Sequence, residues 1–356
     1  MTGNRGEKVV VEIKQPSRLY KYRSFSHRTL TMLVGDVVHF ADPTTFNDPL
    51  DTKPTLHTDL DANALELILA QLIEQRTTAE MSAAAATIKY RGPKTIDHIA
   101  RHSRKRAEQL LADIRYNATN PEYEVNDPAQ FLLGQYVQDE LLRRYDKGVF
   151  SLAERANCPL MWSHYGDQHR GICLGYSVPE AATGDVHKIS YGGSRLVEAS
   201  AVSAMLRGDD GARRKVDDAV LLKKAKPWAY EREWRLIGPR GEQDSPLELE
   251  EIVFGTRCAT SVKYAVVKAL EGRDRAVQFF EIREQPGSFL LKKRSLDTDE
   301  LCVSFPRRCR SFDHIFDDLT EVEEMKAFSQ DQLEAIAGAL GDTDRGLTNP
   351  SSARRK

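Results

Sequence analysis

The residues with the most chemistry to offer lie in one segment, Trp228-Ala229-Tyr230-Glu231-Arg232-Glu233-Trp234-Arg235-Leu236-Ile237-Gly238. It brings together two acids, two bases and three aromatics. β-branched and aromatic residues bounded by Gly238 and Pro239 favour a short strand. Side chains two apart on a strand share a face. Glu231, Glu233 and Arg235 therefore point one way, and Arg232, Trp234 and Leu236 the other. Such a row suits polar work at the lip of a core. The plainer reading, a solvated strand face holding a cross-strand ion pair, fits the same residues.

A second dense segment runs from Leu160 to Tyr176 and contains Trp162, His164 and Tyr165. These rings can stack on a base and hydrogen-bond to it, and His164 is suited to acid–base work near neutral pH. They are equally the residue types of a core with a satisfied histidine. A third cluster, Tyr20-Lys21-Tyr22-Arg23, puts Lys21 and Arg23 on one strand face and Tyr20 and Tyr22 on the other. Arg23 can fork onto a phosphate or carboxylate, or be an ordinary edge-strand cation. The basic run Arg101 to Arg106 sits on an amphipathic helix between Ile99 and Leu110, and reads as a solvated face before it reads as a nucleic-acid patch. Cys158, His164, His169 and Cys173 match no tight zinc spacing, so no metal is expected.

The chain lacks a Walker loop, Gly-x-Gly-x-x-Gly, His-Glu-x-x-His and Gly-x-Ser-x-Gly, which removes the commonest nucleotide-hydrolase, dehydrogenase, zinc-protease and α/β-hydrolase readings. With 356 residues, 40% of them hydrophobic, a sizeable core is available. A net charge of −2 disfavours a mainly electrostatic nucleic-acid binder. No apolar run reaches the roughly 18–20 residues of a membrane helix, and no signal-peptide core is visible near the N-terminus. A cytoplasmic location and no membrane partner are expected. Five scattered cysteines point to free thiols.

The segment 19–51 reads as strand, helix and strand, with Ser26 as N-cap, the helix ending near Gly35 and the second strand over Val37–Ala41. From 59 to 147 the apolar period becomes helical, as in Leu65, Ile68, Leu69, Leu72 and Ile73. Asp127 and Pro128 should open the third of these helices. Further strands are expected near 148–152, 172–178, 186–190, 249–255 and 277–282, with helices near 160–165, 211–224 and 261–270. A weak helix over 333–340 and a disordered final dozen residues close the chain. Mixed order without βαβ repetition indicates an α+β fold with a mixed or antiparallel sheet and a helical insertion. The expected organisation is an extension over 1–18, a core over 19–295 containing the insertion 59–147, and a C-terminal extension over 296–356.

The pieces Leu19-Tyr20-Lys21-Tyr22-Arg23, Phe46-Asn47-Asp48-Pro49, Met161-Trp162-Ser163-His164-Tyr165 with Gly171-Ile172-Cys173-Leu174-Gly175, and Tyr230-Glu231-Arg232-Glu233-Trp234-Arg235 occur in the order that resembles the bacterial domain of unknown function 2971 family. The strand Val149-Phe150-Ser151-Leu152 departs from it, with Leu152 where the family pattern favours an acid. The order Arg23, His164–Tyr165, Glu231-x-Glu233 is also similar to that of ADP-ribosyltransferases. That likeness implies NAD as substrate and an unknown macromolecular target or small nucleotide as partner, in bacterial defence or stress response. Glu233, Glu231 and His164 would then be catalytic, and Tyr22, Arg23, Trp162, Tyr165 and Arg235 would hold the cofactor. The alternative is a non-catalytic ligand-binding or interaction module built on a structural Glu/Arg/aromatic network.

Overall fold

The computed structural model describes residues 15–88, 92, 94–145 and 147–307. In chain order the first elements are β1 (Leu19–Arg23), α1 (His27–Gly35), β2 (Val37–Phe40) and β3 (Thr55–His57). The helical block follows as α2 (Ala62–Thr87), α3 (Thr95–Asn117) and α4 (Pro128–Arg144). Then come β4 (Gly148–Ala153), α5 (Pro159–His164), β5 (Ile172–Ser177), β6 (Val186–Lys188), β7 (Ser190–Tyr191) and β8 (Leu196–Glu198). The last stretch holds α6 (Ala199–Leu206), α7 (Asp210–Leu221), β9 (Lys223–Lys224), β10 (Glu233–Gly238), β11 (Gly241–Asp244), β12 (Glu248–Phe254), α8 (Thr260–Ala269), β13 (Gln278–Glu284) and β14 (Leu291–Ser295).

The fold is α+β. Eight strands form one mixed sheet in the order β14-β13-β12-β5-β1-β4-β10-β6. Only the β12–β13 pairing within it is parallel. Alternation of side chains decides which residues go where. Leu19, Phe150, Leu152, Ile172, Leu174, Trp234 and Leu236 fill one core, which Leu33 of α1 and Val266 of α8 cover. On the opposite side Tyr22, Ala153, Trp162, Cys173 and Val253 form a second, smaller cluster. The helical block has its own core, where Leu65, Leu69, Ile114, Leu133 and Val137 meet Val202 of α6 and Val216 of α7.

Local chemistry explains the helix starts. Ser26 accepts the Thr29 amide, Asp61 that of Ala64 and Asp127 that of Gln130, with Pro128 in the first turn of α4. Three expectations need correction. β2 stops at Phe40 and pairs with β11 outside the main sheet, while Ala41 makes a lone bridge to Val149. The helix expected over 211–224 ends at Leu221, because Lys223 and Lys224 form β9 and pair parallel with β7. The acid-rich strand starts at Glu233 instead of Glu231. Glu231 closes a 3-10 turn over Lys226–Glu231, and Arg232 then takes a left-handed φ of 46°.

The chain divides into two compact units, Met1–Leu301 and Cys302–Lys356. The helical block belongs to the first. The expected helix over 333–340 and the disordered tail lie outside the described residues. Among the described residues no helix is long and apolar enough to cross a membrane.

Two glycines set how closely the α5–β5 turn can approach its neighbours. A Cβ on Gly171 would lie 2.1 Å from the Arg23 carbonyl oxygen, and one on Gly255 would lie 2.1 Å from that of His169. Both obstacles are backbone and cannot swing away. Gly171→Ala should therefore cost about 3 kcal/mol, read as a lowered midpoint in urea unfolding. An unchanged midpoint would show that the turn has slack.

Candidate functional site

β1 and β4 register at a single pair, Tyr20↔Ala153, whereas β4 and β10 pair along six residues. Beyond that pair the two strands part. The Lys21 ammonium donates to the Ser151 carbonyl at 2.9 Å, where a strand amide would otherwise stand. The gap opens into a cavity of about 290 Å³ lined by β1 and β4, by the 41–51 loop, and by Met161, Tyr165, Lys224, Glu231 and Glu233. Tyr20, Tyr22, Phe46 and Tyr165 give it ring-bearing walls.

A buried ionic network forms its polar side. Arg235 is fully buried. Its Nε donates to Glu233 Oε1 at 2.8 Å, its Nη1 to the Leu221 carbonyl at 2.7 Å, and its Nη2 to both Asp51 oxygens at 2.8 and 2.7 Å. Lys224 Nζ reaches Glu231 at 2.5 Å, Glu233 at 3.0 Å and Asp51 at 3.5 Å. Three carboxylates thus face two cations, one net negative charge when all are ionised. Tyr165 donates its hydroxyl to Glu231 Oε1 at 2.7 Å and receives the Asn47 amide at 3.2 Å. The Glu233 amide is taken by the Tyr191 hydroxyl at 2.6 Å.

Environment splits the two glutamates. Burial pushes Glu233 up, but the charges of Arg235 and Lys224 and their hydrogen bonds outweigh it, and its carboxyl is held at about 2. Glu231 moves the other way: burial is the largest cause, neighbouring Glu233 adds to it, and Lys224 only partly offsets them. Lys21 is lowered to about 8 by burial first and by the Arg23 charge second. Lys224 is raised despite its burial, because the glutamates hold its proton.

Among the residues singled out from sequence, Glu231, Glu233, Tyr165 and Tyr22 line the cavity, and Arg235 stands behind it as the partner of Glu233. The other three do not join them. Arg23 shares the face of Lys21 but reaches α1, where its Nη1 meets Met32 Sδ at 2.7 Å. Trp162 is a core residue: its indole N–H donates to the Ala156 carbonyl at 2.8 Å and its ring meets the Tyr22 edge at 5.1 Å. His164 is exposed at the end of α5, against the rings of Tyr165 and Tyr230. The Cys158–Cys173 stretch is dispersed in the same way, with Cys173 fully buried and His164 at the surface.

Sequence reasoning placed Lys21 on a strand face with Arg23 without giving it a role, and passed over Asp51 and Lys224. No local pattern marks the latter two, which arrive from a loop and a two-residue strand. The Phe46-Asn47-Asp48-Pro49 motif did carry a signal, and its purpose is now visible. Phe46 lies over the Arg235 guanidinium at 5.6 Å, Asn47 holds Tyr165, and Asp48 accepts from the Trp228 indole at 2.8 Å.

Glu233→Gln leaves Arg235 and Lys224 short of a buried countercharge and should cost about 3–5 kcal/mol, measured by denaturant unfolding. A loss below 1 kcal/mol would remove Glu233 from the centre of the network. Because the folded carboxyl sits at about 2, below its ordinary value of 4.5, ionised Glu233 stabilises the fold above about pH 4.5. That stability drains away as pH falls toward 2. An acid-unfolding curve should show this loss, and the Glu233→Gln curve should lack it.

Residues 161–236 match a family model described as Protein of unknown function (DUF2971). Comparison with curated proteins and with solved structures found no match. The matched stretch runs from Met161 to Leu236 and so includes Tyr165, Lys224, Glu231, Glu233 and Arg235. The remaining wall, from β1, the 41–51 loop and β4, lies outside the matched residues. Over the matched stretch the chain is similar to the DUF2971 family, and the stretch contributes Met161, Tyr165, Lys224, Glu231 and Glu233 to the cavity lining.

Proposed function

We propose that the β1–β4 cleft binds a small, polar, ring-bearing molecule of about nucleoside size, and that Glu233, Arg235, Asp51 and Lys224 are the scaffold beneath it. The observation that carries this reading is the convergence of four separate sequence motifs on one cavity with aromatic walls. Its volume of about 290 Å³ lies at the lower end of the ~300–1,000 Å³ usual for ligand pockets. Calorimetric titration with adenosine and nicotinamide riboside should detect binding. Thr45→Trp, at the exposed mouth and off the ionic network, should abolish it with the melting temperature kept. Tyr165→Phe, which frees the Glu231 oxygen, should weaken it by about tenfold. No binding by the unaltered protein, or full binding by Thr45→Trp, would end this reading.

A second reading is favoured by the net negative charge of the network. Breaking the nicotinamide–ribose bond of NAD develops positive charge on the ribose, which a nearby carboxylate stabilises. Glu231 is the better placed acid for this, because one of its oxygens is held only by the Tyr165 hydroxyl, while Glu233 is spent on two cations. Under this reading the protein consumes NAD, and Glu231→Gln stops the consumption in a chromatographic assay. NAD left intact by the unaltered protein, or consumed equally by the variant, would exclude it.

A further inference from the structure

We propose that Lys21 is the reactive amine of the cleft, and that the cleft takes a ligand bearing an aldehyde or ketone, which Lys21 holds as an imine. This rests on the reading of the cleft as a ligand site and adds the chemical class of the ligand.

Three observations carry it. Lys21 lines the cavity, and its ammonium makes one hydrogen bond, to the neutral Ser151 carbonyl. Lys224, across the same cavity, is locked by three carboxylates. Among the described residues, the parting of β1 from β4 therefore leaves one lysine of the pair outside ion-pair contact with an acid, at the border of the cavity. Its second neighbour is the Phe150 ring, 4.8 Å from Nζ, which supplies no base.

The charged surroundings agree. Arg23 on its own strand and Lys224 on β9 drive the proton off Lys21, while Glu233 on β10 and Glu231 on the preceding turn retain it. Asp51, Tyr20, Tyr22 and Tyr165 are the other titratable groups on the cavity wall. Burial tips the balance to about 8, so on the order of a tenth of the amine is neutral at pH 7. Desolvation of this kind activates lysine nucleophiles. The Tyr165 hydroxyl, bound to Glu231 on the cavity wall, is a proton donor available to the carbonyl oxygen.

The steps balance without any redox partner. The Nζ lone pair adds to the carbonyl carbon, the C–O π pair moves to oxygen, and that oxygen takes up a proton. The resulting carbinolamine expels its hydroxyl with a second proton as water while the nitrogen lone pair forms C=N. Nζ sheds two protons, one as the carbinolamine forms and one as C=N forms, and these restore the two that the oxygen took from the acid. One amine and one carbonyl give one imine and one water.

Formaldehyde with cyanoborohydride, applied to the full chain and followed by peptide mass mapping, tests the inference. Lys21 should be methylated at least tenfold faster at pH 7 than the exposed Lys215, with its rate rising through a midpoint near 8. Labelling no faster than Lys215, or a midpoint near the ordinary lysine value of ~10.4, would overturn it. Adenosine and nicotinamide riboside titrations on the same preparation separate the two levels. Binding retained with an unreactive Lys21 removes the imine and keeps the cleft. In Lys21→Arg the fast methylation should vanish while Lys215 is labelled as before; a fast-labelling amine that persists in this variant would place the reactive group elsewhere and overturn the inference.

Discussion

A guanidinium with no solvent contact sits at the middle of this fold. Removing an ion from water costs several kcal/mol even after relaxation, so Arg235 can be buried only if nearly every donor finds an acceptor. Glu233 comes from the same strand, Asp51 from a loop 184 residues away, and the Leu221 carbonyl from the end of α7. One side chain therefore ties β10, the 41–51 loop and α7 to each other. Lys224 adds a second knot to the same carboxylates. The network stabilises less than its length suggests, since desolvation offsets much of its Coulomb energy. Its firm consequence is positional, because each partner is costly to remove and so each stays where it is.

The cleft follows from a complementary defect. A sheet of eight strands has one seam where pairing lapses after a single residue pair. Unpaired backbone groups at such a seam need other partners, and a lysine side chain serves the Ser151 carbonyl. The same lapse that requires Lys21 creates the room in front of it. Network and seam meet at Glu231 and Glu233, which is why the polar residues of the cavity are partly committed to ion pairs and partly turned to its wall.

Much of this was legible in the chain. Period-two alternation assigned Trp234 and Leu236 to the core and Glu233 and Arg235 to the opposite face. Side-chain oxygens at Ser26 and Asp127 marked helix starts, and Tyr165 was recognised from its ring and its company. The failures have physical causes. Arg23 was assigned the right face, but its length carries it to Met32, and no pattern in β1 reports where a strand will separate from its neighbour. Glu231 was placed on the strand because nothing at Arg232 warns of a left-handed residue; glycine, the usual marker, is absent. Trp162 had the composition of a stacking platform and the burial of a core residue, and short-range sequence does not distinguish these. Asp51 depends on a contact across 184 residues, and Lys224 on how the 3-10 turn brings Glu231 and Glu233 back onto it.

The Phe46–Asp51 loop roofs the cleft and also delivers Asp51 to Arg235. Lifting that roof would strand a guanidinium in the interior, so the ceiling is fastened by the same bonds that hold the floor. Under the proposed reading, a ligand would have to accept the aperture as it stands. Selection among ligands would then rest on shape and width instead of on closure around the guest, and little ordering entropy would be lost when one enters.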